Sequence, residues 1–218
     1  MRRSGLCHKV TSDTTRRAVL AAALAAGTAG LARSEAASLL DSFAPLSGDA
    51  WDAADRSLPE TVESPHGDAS VRVDDHGVPH VEADDEAAAY FAVGYCHGAD
   101  RFFQMDLFRR LMAGELSAVV GDVAVESDVF HRQLDFEGAA AATWERAEGT
   151  PTGDAVEAYV DGANWALERE SKPLEYRLLS FEPREWTPTA SLLISKQISW
   201  GLTGSFRTLR KALARERL

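Results

Sequence analysis

Gly94-Tyr-Cys-His-Gly-Ala-Asp-Arg-Phe-Phe-Gln-Met-Asp-Leu-Phe-Arg-Arg-Leu-Met-Ala-Gly114 packs a run of bulky apolar side chains and a dense set of charges into one stretch. Phe103, Leu107 and Leu111 recur at helical spacing, and Phe102, Met105 and Phe108 fill the positions between them. A helix apolar over most of its circumference belongs in an interior, where its arginines must be paired or must snorkel outward. Asp106 and Arg110, four apart, can meet on one side of such a helix. Arg101 and Arg109 then require partners elsewhere. A buried helix of this kind suits a larger body than a short chain provides. The expectation is that its partners lie on another segment, and that residues 91–111 present a large apolar face when this chain stands alone.

Working outward, Val71-Arg72-Val73 alternates as a short strand, and Gly77-Val78-Pro79-His80-Val81 supplies a second extended piece. The two predict a hairpin whose turn is set by Asp75-His76-Gly77. Asp84 or Asp85 then caps the helical region. Gly94 and Gly98 are candidate interruptions, and Gly114 or Gly121 is the candidate terminator. No element is assigned from there to Asp154, where a second helix is predicted to run to Arg169, burying Val156, Tyr159 or Val160, and Trp165. Thr187-Pro188 is an N-cap and first-turn pair. It opens a third helix through Leu192, Ile198 and Leu202, bent near Gly201 and Gly204, and the basic tail Leu209–Leu218 is helical again. Residues 37–70 read as an acidic, poorly patterned segment.

The chain has 218 residues, 45% of them apolar, enough for one domain with a true core. Its net charge of −11 is unevenly spread, because a basic N-terminus offsets a more acidic remainder. Residues 1–36 hold Arg2, Arg3, Lys9, Arg16, Arg17 and Arg33 against only Asp13 and Glu35. From Asp41 to Asp100 the cations are Arg56 and Arg72 alone, and lysine occurs only at positions 9, 172, 196 and 211. Such acidity with little lysine is the expectation for a protein of a very salty cytoplasm, where screening removes the repulsion. A polyanionic surface argues against nucleic acid and anionic membranes as partners. Thr15-Arg16-Arg17-Ala18-Val19-Leu20 and the small-residue apolar run to Ala32 read as a twin-arginine export signal over residues 1–36, cut between Ala32 and Ala36. That run is shorter than the ~20 residues a membrane span needs.

Self-contained chemistry is hard to find in these residues. Cys7 lies in the signal, so Cys96 is left without a disulfide mate and reads as a small apolar filler. His76 and His80 are four apart, but the intervening Gly-Val-Pro forbids a helical metal pair. His97 and His131 lack ligands at metal spacing, and Asp74, Asp75, Asp84 and Asp85 lack the Gly and Glu of a calcium loop. No nucleophile elbow, phosphate loop or dinucleotide fingerprint is present.

Taken together, several blocks resemble the α chain of the penicillin acylase family of N-terminal-nucleophile amidases. They are Gly77-Val-Pro-His80, Gly94-Tyr95, Asp100-Arg101-Phe-Phe-Gln104-Met105, Arg109-Arg110 and Gly114. Further along stand Asp128 with Arg132, Tyr159-x-Asp161-Gly162-x-Asn164, Pro173-Leu-Glu-Tyr176 and Phe181-x-Pro183-x-x-Trp186-x-Pro188. The resemblance runs from about Val71 to Phe206. It implies an α+β chain, mostly helical: the α segment (71–218) of an αββα fold, with a short N-terminal β-hairpin. It also implies that the nucleophilic serine sits on a β segment outside these residues, so this chain alone supplies no catalytic residue. Its expected contribution is part of the pocket for a small N-acyl substrate, penicillin-like or acyl-homoserine-lactone-like, near Ser199, Trp200, Thr203 and Phe206.

The chain departs from the family pattern at Val73, where an arginine is usual, and at Ala118, where a glutamate is common. The glutamate that helps hold calcium in some members would fall near Leu209, so no α-side metal ligand and no cofactor is expected. The rival expectation is a non-catalytic fragment, or a secreted module that binds an acyl ligand or a partner.

Overall fold

A computed structural model describes residues 57–179 and 181–203. The hairpin predicted at Val71–Val81 is present, and it is the inner part of a three-stranded antiparallel sheet of order β1-β2-β3. The strands are β1 (Thr61–Ser64), β2 (Gly67–Val73) and β3 (Pro79–Ala83). Val71 stands opposite Val81 and Val62 opposite Ala69. The sheet therefore begins one strand earlier than the alternation suggested. Period-2 burial is nonetheless clean, with Val62, Ala69 and Val71 all facing the core. Asp74 shapes the β2–β3 turn by accepting the backbone N–H groups of His76 (2.9 Å) and Val78 (3.0 Å). Its second oxygen meets His80 Nε2 at 3.0 Å. The hydrogen bond from His80 leads the effects that pull the Asp74 carboxyl down to about 2.

Helix α1 (Glu86–Ala113) is the spine of the fold. Asp85 is its N-cap, its carboxylate accepting from Ala87 N (2.8 Å) and Ala88 N (3.2 Å). Gly114 ends it in the left-handed region at φ 69°. The break inside α1 falls at Arg101 (φ −139°, ψ 22°), not at Gly94 or Gly98. Those glycines serve close approach instead. A Cβ at Gly94 would lie 2.0 Å from the Tyr159 carbonyl oxygen, and one at Gly98 would lie 2.8 Å from that of Ala163. Both contacts are with the second predicted helix, α5, which runs from Pro151 to Arg169 with Thr150 as its cap.

Between Gly114 and Gly149 the chain forms elements that no local pattern announces. These are α2 (Ser117–Val120), a 3-10 turn (Asp122–Ala124), α3 (Val125–Leu134) and α4 (Phe136–Ala147). After α5 come α6 (Leu174–Leu178), a strap without regular secondary structure over 181–187, and α7 (Pro188–Thr203). Thr187 caps α7 as expected, its hydroxyl oxygen accepting Ala190 N at 3.1 Å. Helix α7 runs on through Gly201 to Thr203. The bend expected near Gly204 and the helix expected over Leu209–Leu218 fall outside the described residues, as does the stretch 1–36 read as an export signal.

The core consists of three clusters strung along α1. Phe91, Ala92, Tyr95, Cys96 and Ala99 pack on the sheet residues Val62, Ala69 and Val71. Phe102 packs with Val160, Ala163, Tyr176, Trp186 and Ala190. Met112 and Ala113 pack with Ala140 and Leu193. This corrects the expectation that residues 91–111 lie bare: Phe91 and Phe102 are each 1% exposed, covered by the chain's own sheet, α5, α6 and α7. A helix that meets a different partner on each side has to be apolar all round. Cys96 is the expected buried filler, its thiol pushed up to about 11 by burial.

The charges of α1 are satisfied within the chain as well. Asp106, 1% exposed, accepts from Arg109, from Arg110 Nε at 3.2 Å and from Tyr176 Oη at 3.0 Å. The Asp106–Arg110 pairing holds, and Arg109 joins the same carboxylate while also finding partners elsewhere, the backbone carbonyls of Glu185 and Arg184. Arg110 also lies over the Phe181 ring and Arg109 over that of Trp186. Arg101 remains exposed and pairs with its neighbour Asp100.

Candidate functional site

Three of the four residues put forward for the acyl pocket, Ser199, Trp200 and Thr203, sit at the C-terminal end of α7. Two turns before it, Leu193 anchors the helix in the core. Ser199 is exposed, and its hydroxyl donates to the Ser195 carbonyl at 3.0 Å, a bond within the helix. That hydroxyl is committed to its own helix and is not poised as a nucleophile. Trp200 is half-buried and belongs to an aromatic corner. Its ring lies 5.5 Å from Phe136 and 6.4 Å from Phe130. His131 fills another side, 5.1 Å from Phe130 and 6.1 Å from Phe136. Thr203 is the last residue of the helix, and Phe206 lies outside the described residues. The structure thus brings Ser199 and Trp200 to one helix end. It adds Phe130, His131 and Phe136 from α3 and α4, which no sequence spacing nominates.

The local sequence explains this corner. Asp135, at φ 51°, turns the chain sharply between α3 and α4, and its carboxylate caps α4 by accepting Gly138 N at 3.1 Å. The turn places Phe130 and His131 on one side and Phe136 on the other. His131 Nδ1 meets the Ser127 carbonyl oxygen at 2.8 Å and the Ser127 hydroxyl at 3.3 Å. A Ser–His pair on successive turns of one helix, with the ring nitrogen already held by a carbonyl, is not a catalytic dyad. The corner offers aromatic surface and little else, which suits an apolar acyl group. Among the described residues, no group of three or more His, Cys, Asp or Glu could hold a metal ion.

The remaining family blocks turn out to be joints. Asp128 accepts the backbone N–H groups of Leu116 (2.9 Å) and Ser117 (2.8 Å), and Arg132 Nε donates to the Gly114 carbonyl at 2.7 Å. One face of α3 therefore closes the corner that ends α1. Burial pushes the Asp128 carboxyl up, but hydrogen bonds from Ser117 and Leu116 and the charge of Arg132 outweigh it, leaving the group below its ordinary range. Gly162 lets α5 touch α1, since a Cβ there would fall 1.9 Å from the Phe91 carbonyl oxygen. Asn164 pairs with both backbone groups of Trp186.

A mostly helical layer on a small three-stranded sheet fits the fold of an N-terminal-nucleophile hydrolase. The solved thermostable penicillin G acylase from Alcaligenes faecalis is similar, with a TM-score of 0.55 and 31% identity over 68% of this chain and 83% of that chain. The penicillin amidase family model matches residues 68–218. The chain belongs to the penicillin amidase family, whose members are acylases that hydrolyse amides. Penicillin acylase 2 proenzyme from Pseudomonas sp. (strain SE83) is 38% identical over 144 residues, 65% of this chain and 18% of that protein. Acyl-homoserine lactone acylase QuiP from Pseudomonas aeruginosa is 32% identical over 61% of this chain and 16% of its own length. The chain thus spans less than a fifth of these two curated relatives.

Proposed function

We propose that this chain is the α portion of an exported amidase that cleaves the carbon–nitrogen bond of N-acyl compounds, penicillin-like or acyl-homoserine-lactone-like. The observation that carries this reading is the likeness to a penicillin G acylase chain, 83% of which this chain covers, beside coverage of only 18% of a full proenzyme. The nucleophile belongs to a β segment. There a serine at a newly exposed N-terminus attacks the amide carbonyl, its own α-amine acting as base, and the acyl-enzyme is then hydrolysed. The α portion contributes the aromatic corner at Trp200, Phe130 and Phe136 as one wall of the acyl site, with Ser199 beside Trp200 on the same helix. Thr203 and Phe206 belong to this proposal on the family resemblance alone.

Acidity and scarce lysine support a high-salt setting, and the paired arginines at Arg16-Arg17 support export in the folded state. The test is co-expression with a β segment of the same precursor, or one encoded separately, followed by a screen of N-acyl amides in high salt. Turnover is expected only from the two segments together and is abolished by Ser→Ala at the β N-terminus. A correctly processed pair that hydrolyses no N-acyl compound would sink the enzyme reading and leave the non-catalytic binding module.

A further inference from the structure

The strap at 181–187 leads from α6 to α7, and it is held by side chains of other elements rather than by a sheet or helix of its own. Asn164, on α5, behaves like a peptide unit toward it. Its Nδ2 donates to the Trp186 carbonyl at 3.0 Å, and its Oδ1 accepts the Trp186 N–H at 2.7 Å. Both ends of the amide are used, which fixes its orientation and excludes any side chain that is purely a donor or purely an acceptor. Arg109 adds a second hold by donating to the Glu185 carbonyl (2.6 Å) and the Arg184 carbonyl (3.3 Å). Arg184 pairs outward with Glu115. Three consecutive strap residues are thus tied down shortly before Pro188 begins α7.

The far end of α7 is more open. Ile198 is 58% exposed and Leu202 82% exposed. The contacts there include the Trp200 ring against Phe130 and Phe136, and Lys196 Nζ donating to the Thr143 hydroxyl at 3.2 Å. An α-helix is stiff over this length. Trp200 lies twelve residues beyond Pro188, roughly 18 Å along the axis. A small shift of the clamped end is therefore delivered to the aromatic corner as a displacement of the whole rod.

We propose that Asn164 is a positioning residue: by clamping the Trp186 backbone it sets the register of α7 and so the place of the Trp200 wall. Its effect on substrate choice rests on the acylase reading given above. The side chain does not touch the corner, and so it acts through the helix.

The test uses the full chain co-expressed with its β segment and labelled with 5-fluorotryptophan, the Trp200 signal being assigned by Trp200→Phe. In Asn164→Ala the Trp200 resonance is expected to move, although the substitution is many residues distant from it. Asn164→Asp keeps the bond from the Trp186 N–H and should give an intermediate shift. In kinetics on a series of N-acyl amides of increasing chain length, the ratio of kcat/KM between the longest and shortest acyl groups should change about tenfold. The kcat on the shortest should be retained. A change in thermal stability alone, with the Trp200 resonance and the acyl-length ratio as in the wild type, overturns the proposal. If Asn164→Ala does not fold, Asn164→Asp, which loses only the donor to the Trp186 carbonyl, carries the test alone; an unmoved Trp200 signal in it overturns the proposal. A shifted Trp200 in a pair that hydrolyses no amide would defeat the acylase reading while the clamp stands. Hydrolysis with an unshifted Trp200 would do the reverse.

Discussion

Asp106 anchors the buried charge of this protein. It takes hydrogen bonds from Arg109, Arg110 and Tyr176 while almost wholly buried, so both guanidinium groups depend on one carboxylate. Asp106→Asn removes the charge and leaves two buried cations without compensation. A loss of about 3–5 kcal/mol is expected, to be read by urea unfolding. Tyr176→Phe keeps the ring packing and removes one hydrogen bond to a charged acceptor, and should lose about 2 kcal/mol. Asp128 gives a pH signature. Its carboxyl is held below the ordinary value of 3.8 in the fold, so the unfolded state binds its proton more readily. The stabilisation is present above that value and is lost as pH falls through the lower, folded pKa. Thermal melts between pH 6 and pH 2 should show a steeper acid decline for the wild type than for Asp128→Asn. Parallel curves would refute the assignment.

Among the elements, α1 and α5 decide the fold, and they meet through missing side chains. Gly94 and Gly98 on one helix and Gly162 on the other bring backbone to backbone. Gly162→Ala would set a Cβ 1.9 Å from the Phe91 carbonyl oxygen, with no flexible side chain to give way. Separation of the helices should destabilise the protein by about 3 kcal/mol or more, visible as lost soluble yield or a large drop in Tm. Gly201→Ala is the control, because nothing lies within 4 Å of a Cβ there. Both helices are legible in the sequence, since apolar residues at helical spacing and end signals such as Asp85 are local. Helices α3 and α4 are not. Their contacts are short-range corners, such as Asp128 reaching back to Leu116, and alanine-rich stretches like 139–142 show no apolar stripe. For the same reason Phe130 and Phe136 are not recognisable as neighbours of Trp200: they come from helices far earlier in the chain, and no local spacing joins them to it.

At the scale of the whole molecule, the large apolar side chains that stay open among the described residues are not those of residues 91–111. Val123 is 87% exposed and Val129 50% exposed, and on α7 Ile198 and Leu202 are open as well. Under the proposed function a β segment is the occupant of such surface. The chain produced alone should therefore bind an apolar dye strongly, and co-folding with the β segment should abolish most of that signal. Dye binding that is the same with and without the β segment would count against that partner. High salt should raise the Tm of the chain by screening its net charge of −11; a Tm that is flat from low to molar salt would remove the halophilic reading.

Local sequence was enough for the family, the hairpin, the cap at Thr187 and the identity of α1 as an interior helix. It narrowed the ends of α1 to Asp84 or Asp85 and to Gly114 or Gly121, and the structure then chose Asp85 and Gly114. Those features depend on residues close in the chain, where spacing and backbone preference act directly. Only the tertiary structure decided who satisfies that helix. Its apolar sides are covered by the sheet, α5, α6 and α7, and its buried arginines are held by Asp106 and the strap carbonyls, all from this chain. The ion pairs of Asp106 with Arg109 and Arg110 are local, three and four residues apart. Burial and the remaining hydrogen bonds depend on residues brought together across some 70 positions, as with Asp106 and Tyr176. No local pattern records such a meeting, because each partner looks ordinary where it stands.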